Sequence, residues 1–273
     1  MKNTIPFLVL LLCFQAYSQR EPKIKGNGDV TEVRESLPPF RAIELKDDLE
    51  IRLKKAPEEG YTIKADDNLI DVLKFEVEDS TLVITSFYKI TGKKKLEITI
   101  NYNYLGALLL RDGTISMKAP IVSDELSVKT YGSSDLQLNA EASQISIGME
   151  GNSTGNFVLT GDTIDITLTD RADARIYTDS GTNHLKMYKN ASADMEGTVE
   201  RFNIELFEKA GLEGSRLVAQ KAFLNLQGSP SAEVHVQQEV ELTSSGSSRT
   251  YLYGEGKIKI HEFLDTSELH KKQ

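Results

Sequence analysis

The sequence predicts an all-β fold: a single-stranded parallel β-helix, or β-solenoid, coiled right-handed from rungs of 17–21 residues. Three observations predict it. Apolar and polar residues alternate at period two along most of the chain, the pattern of half-buried strands. No long stretch holds the helical period of 3.6 residues. Glycine-serine corners return at a near-constant step, the mark of a repeat architecture.

The first element is a signal peptide over residues 1–18. Lys2 precedes an apolar run from Ile5 to Phe14, and Ala16-Tyr17-Ser18 supplies small residues at spacing two. The run is shorter than the roughly 20 apolar residues of a membrane-spanning helix. Cys13, the only cysteine, lies inside it, so the exported chain has no disulfide, thiol nucleophile or thiolate metal site. Lipid attachment at Cys13 is the alternative, but that processing usually wants a small residue where Leu12 stands. Removing Lys2 takes the net charge from -9 to -10. Such a chain repels nucleic acid and anionic lipid surfaces. The basic clusters are small: Lys54-Lys55, Lys93-Lys94-Lys95 and Lys271-Lys272.

Residues 19–104 form an irregular β-rich part. Phe40, Ile43 and Leu45 alternate, as do Leu49, Ile51 and Leu53. Ile63 follows, then a one-turn helix around Leu69 to Leu73, then Phe75, Val77, Leu82, Ile84, Leu96, Ile98 and Ile100.

Residues 105–260 repeat. The corner anchors are Gly113, Gly132, Gly151, Asp170, Ala191, Glu208, Gly228 and Gly246, whose differences are 19, 19, 19, 21, 17, 20 and 18. The inward positions run Leu126, Val128; Ile145, Ile147, Met149; Ile164, Ile166, Leu168; Leu185, Met187; Ala222, Leu224, Leu226; Val240, Leu242. A second short strand follows each corner, as at Leu136 and Leu138, Phe157 and Leu159, Val234 and Val236, and Tyr251 and Tyr253. One unit cannot bury its own apolar face, and stacking neighbours about 4.8 Å apart buries it. The crossover rule gives the right-handed coil. Gly113, Gly132, Gly151, Gly228 and Gly246 are therefore structural corners, where the chain bends sharply inside a narrow coil. A phosphate-cradling loop would need a helix behind it, and these corners lead into strands. Residues 261–273 read as a polar tail.

Two further stretches carry a family resemblance. "GNGDVTEVRESLPPFRAIELKDDLEIRL" contains the aromatic-x-x-Ile step at Phe40 and Ile43. "ADDNLIDVLKFEVEDSTLVITS" contains Asp67-Asn68-Leu69-Ile70 and the Leu82-Val83-Ile84 strand. Followed by glycine-serine rungs, they resemble the DUF2807 family, "putative auto-transporter adhesin, head GIN domain", whose members are mostly exported proteins of Bacteroidetes. The likeness covers roughly Lys25 to Ile260. It implies a parallel β-helix-like fold and a cell-envelope location, and it carries over no catalytic residue. "LRDGTIS" departs from the family's more usual glycine-serine-glycine first corner.

No chemistry converges in the sequence. His184, His235, His261 and His270 have no metal-spaced partners. Asp162, Asp165, Asp170, Asp173, Asp179 and Asp194 are interspersed with Arg171 and Arg175. Asp165 aligns with Gly148 and Lys186, so no acidic ladder forms there. The short steps leave no room for the long loops that wall a solenoid enzyme's cleft. Tyr188, Phe207 and Phe223 are large aromatics at outward positions in successive units, a candidate interaction patch. The expected function is an exported, non-catalytic binding, adhesion or scaffold module of the cell envelope, in the periplasm, on the outer-membrane surface or outside the cell. It needs no cofactor. Its partner is a protein or glycan ligand rather than nucleic acid or a membrane span, and a homo-oligomer stays open. The alternative is a carbohydrate-active enzyme, a polysaccharide lyase or glycosidase, on the same scaffold.

Overall fold

The computed structural model describes residues 22–272. The signal peptide read over residues 1–18 lies outside them. The chain is a β-solenoid of about nine turns. Its first part holds β1 (Lys23–Lys25), β2 (Val30–Ser36), β3 (Ala42–Leu45), β4 (Glu50–Lys55), β5 (Gly60–Asp66), the single turn α1 (Asp67–Ile70), β6 (Leu73–Glu78), β7 (Thr81–Ser86), β8 (Lys89–Gly92) and β9 (Leu96–Tyr102). The coil continues through β10 (Ala107–Leu110), β11 (Thr114–Met117), β12 (Ile121–Thr130), β13 (Asp135–Met149), β14 (Thr154–Leu168), β15 (Asp173–Met187), β16 (Ser192–Glu208), β17 (Gly211–Gly228) and β18 (Ser231–Gly246). It finishes with β19 (Arg249–Tyr253), β20 (Lys257–Phe263) and β21 (Glu268–Lys271).

Each rung has two legs. In β14, Thr154 to Gly161 pair with the next rung as one leg, and Thr163 to Leu168 as the other. Parallel partners lie 19 residues apart, as in Phe157↔Ile176 and Ile166↔Leu185. Alternation decides which side faces in: Phe157, Leu159, Ile164, Ile166 and Leu168 are all buried, while Asn156, Val158 and Thr167 between them are exposed. The core is thus one apolar column running the length of the coil.

The tight corners close the second leg onto the next rung. Positive φ falls at Gly113, Gly132, Gly151, Asp170, Lys189, Glu208, Gly228, Gly246 and Asp265. The steps are 19, 19, 19, 19, 19, 20, 18 and 19, more even than the sequence suggests. The anchor read at Ala191 moves to Lys189. Ala191 is instead a buried corner residue, whose amide donates to Tyr188 O. The alternation of Tyr251 and Tyr253 also reverses: Thr250 and Leu252 are fully buried, and the tyrosines face out.

The ends of the coil differ. β7 pairs in parallel with β3, and β9 with β4, so β3–β4 forms a rung inserted between β7–β9 and β10–β11. Antiparallel strands finish this end: β6 pairs with β7, β5 with β9, and β2 with β5. At the other end, the residues read as a polar tail from position 261 contain the end of β20 and all of β21, which add one more rung. Ile258 and Ile260 keep the inward alternation, and Phe263 regains it after one extra residue at His261.

The motifs behind the family resemblance are a structural pin. The Asp66 carboxylate is buried and accepts backbone N–H groups of Lys94 (3.0 Å), Lys95 (3.0 Å) and Gly28 (3.3 Å). The Lys94 amide is the main reason its carboxyl sits below the usual range. Gly26 passes so close that an added Cβ would stand 1.9 Å from Asp66 Oδ2. Asn27 locks to the same turn, donating its side-chain amide to Asp67 Oδ1 (2.6 Å) and its backbone N–H to Asn68 Oδ1 (3.0 Å).

Candidate binding surface

Outward residues of equivalent position form ladders along the coil. On the second leg one ladder reads Ser127, Ser146, Asp165, His184, Asn203, Phe223, Glu241 and Lys259. Asp165 thus stands between Ser146 and His184, two residues from the alignment with Gly148 and Lys186, and again meets no second acid. The adjoining ladder reads Lys186, Glu205, Asn225 and Thr243.

The three candidate aromatics separate into two places. Tyr188 and Phe207 occupy the same corner position on neighbouring rungs, their rings stacked at 5.0 Å and 7°. Gln227 follows them on that ladder. Phe223 lies four residues back along the strand from Gln227, in the middle of the second leg. The slip arose because corner and strand positions both read as "outward" in a period-two pattern. Beside the stack runs a shallow polar groove of about 480 Å³, lined by Ser133, Asn152, Asp170, Arg171, Lys189 and Asn190. One pair of its charges is matched, Lys189 bonding Asp170, and the Gly151 amide donates to the same carboxylate; Arg171 has no ion-pair partner among the described residues.

Phe223 has a different setting. A groove of about 430 Å³ runs over its half-buried ring, bordered by Asn203, Glu205, Asn225, Glu241, Thr243 and His261. An apolar ring face flanked by two side-chain amides and a hydroxyl can stack a flat apolar surface and hydrogen-bond polar groups at its rim. The sequence marked Phe223 but not its neighbours. Its ladder neighbours Asn203 and Glu241 stand 20 and 18 residues away, so a fixed 19-residue step would have missed both.

The two acids of this groove are committed to partners. Glu205 pairs with Lys186 at 3.0 Å. Glu241 lies 2.5 Å from His261 Nε2 and 3.3 Å from Lys259 Nζ. The His261 contact, then Lys259, holds the Glu241 carboxyl below its ordinary range. A general acid at neutral pH needs the opposite shift. Asp66, Glu97, Asp170 and Glu268 are also shifted down. Among the described residues, no group of three or more His, Cys, Asp or Glu side chains could hold a metal ion. No helix there is long and apolar enough to cross a membrane.

Comparison with known proteins agrees with the architecture. The family model described as "Putative auto-transporter adhesin, head GIN domain" matches residues 39–169 and 154–256. A putative adhesin from Parabacteroides merdae superposes with a TM-score of 0.70 at 15% identity, over 92% of this chain and 100% of that one. A putative adhesin from Parabacteroides distasonis gives 0.68 at 14%, over 91% and 99%. A putative lipid binding protein from the same species gives 0.66 at 17%, over 92% and 100%. At such identities these likenesses carry the fold alone. No curated protein matches the chain.

Proposed function

The chain belongs to the DUF2807 family, and from that premise we propose that it is an exported, non-catalytic adhesin of the cell envelope that binds glycan. The family supports a binding or adhesion role. The observation that carries the glycan reading is Phe223: an aromatic ring flanked by Asn203 and Asn225 on an otherwise polar sheet. A sugar presents just these two chemistries, an apolar C–H face and a rim of hydroxyls. The flat, open groove suits an extended strand of sugar rather than an enclosed monomer.

The enzyme reading is the weaker one. Retaining or inverting hydrolysis needs a protonated acid opposite a free carboxylate. Here Glu205 and Glu241 are both ion-paired, and Glu241 is shifted the wrong way. Export rests on the amino-terminal segment and on the family's character.

A glycan array with the purified protein tests the reading. Binding to a defined glycan class is expected, with Phe223→Ala weakening it about tenfold or more and leaving the melting temperature within about 2 °C. An array without binding, or full binding by Phe223→Ala, overturns the assignment. Release of new reducing ends from a bound glycan would establish the enzyme instead.

A further inference from the structure

The carboxy-terminal rung is open. Among the described residues β20 pairs only with β18, and β21 only with β19, so each keeps one unpaired edge. Its inward positions continue the core column: Ile258 follows Val240, Ile260 follows Leu242, and Phe263 follows Ser244. Val240 and Leu242 are fully buried, yet Ile258, Ile260 and Phe263 are 42%, 49% and 41% exposed. Leu264 beside them is 52% exposed. Four of the large exposed hydrophobics thus gather on this end, beside a free strand edge. An apolar patch continuous with a core marks an interaction surface, and an open edge is a template for another strand.

We propose that this end is a two-fold interface for a second copy of the same chain, with β20 pairing antiparallel to β20 of the partner. The segment is self-complementary in that direction. A pairing centred on Ile260, with His261 the extra residue already skipped in the β18–β20 register, sets Ile260 opposite the partner's Ile260 and Ile258 opposite the partner's Phe263, all on the core side. It also sets Lys259 opposite the partner's Glu262, both on the outer side. Each match between unlike residues occurs twice, as two-fold symmetry requires. Opposite charges directly across antiparallel strands stabilise pairing, and aromatic–β-branched pairs do the same.

The two ends cannot stack on one another in an endless row. The amino-terminal end is finished by antiparallel strands, and its outer strand β2 is almost wholly exposed and carries Glu32, Arg34 and Glu35. A parallel rung finds no matching register or apolar column there. The contact therefore closes at two copies rather than growing into a fibre.

Sedimentation equilibrium of the purified protein tests the proposal. The expected result is a dimer at micromolar concentration. Ile258→Glu is expected to give a monomer with an unchanged far-ultraviolet spectrum. Glu262→Lys alters only the outer side. It turns an attraction into a repulsion, because the new ammonium faces the partner's Lys259. This variant is expected to weaken dimerisation about tenfold at low salt, and less in molar salt. A wild-type chain monomeric at 100-fold higher concentration (on the order of 100 µM) overturns the proposal. So do a dimer untouched by both substitutions and a Glu262→Lys effect independent of salt.

Discussion

At Gly151 the backbone takes φ +79°, and an added Cβ would lie 2.8 Å from Gly132 O and 3.1 Å from Gly132 N. Both obstacles are backbone of the corner one rung away, so neither can turn aside. Gly151→Val is expected to destabilise by about 1–3 kcal/mol in urea unfolding, whereas Ser127→Val on an exposed strand position should change stability by less than about 0.5 kcal/mol. Equal losses would refute the inward and outward assignment. The converse holds at Glu208, a non-glycine at φ 60°. Its side chain makes no hydrogen bond or ion pair among the described residues. Glu208→Gly should stabilise by about 0.5–1 kcal/mol, because it relieves a left-handed backbone. An unchanged or lower urea midpoint would count against strain there. Corners were legible where glycine occupied them, and the repeat step carried the reading on to Asp170 and Glu208. Lys189 escaped notice because a lysine at φ 61° carries no signature of its backbone, and small Ala191 two residues later imitated one.

Among the elements, the amino-terminal cap depends on one carboxylate. Asp66 serves three backbone donors from two different segments, and those donors favour its charged form. Its folded pKa is therefore depressed. The stability it contributes is complete above the ordinary carboxylate value of 3.8 and is lost as pH falls through the lower folded value. Asp66→Asn should speed amide exchange in β5 and β9 at pH near 7, and the difference from wild type should shrink in acid below about pH 3. A gap that stays constant with pH would mean that shape, not charge, matters at this position. The motif letters were visible in the sequence, but their purpose was not. Asp66 and its partners Gly28, Lys94 and Lys95 lie 28 to 38 residues apart, and only the fold joins them. The polar cluster of Thr178, Ser180 and Asn183 spans only five residues, and it was hidden for a different reason: a period-two pattern does not show the bend across which these side chains satisfy one another.

For the whole molecule, nearest-neighbour stacking makes stability a property of position along the coil. Each rung touches only the rungs beside it, so opening begins where a rung has one neighbour instead of two. The two ends are unequal, since β2, β5 and β6 cover the first rungs while no described residues cover β20 and β21. Amide exchange should therefore be fastest in β20 and β21, slower at the capped end, and slowest in β13 to β16. A central cavity should act differently from a terminal one. Ile166 is 1% exposed in the middle of the column, and Ile166→Ala should cost about 2–4 kcal/mol in global stability. Ile260, 49% exposed on the last rung, has little burial to lose in the single chain, so Ile260→Ala should cost under about 1 kcal/mol at dilution. The two should be compared at nanomolar and at micromolar concentration. If the terminal rung docks on a second copy, the Ile260→Ala penalty grows with concentration and the β20 amides become protected with it, while the Ile166→Ala penalty stays fixed. A concentration-independent penalty at Ile260, with β20 exchanging fast throughout, would leave the end of the coil as a free edge.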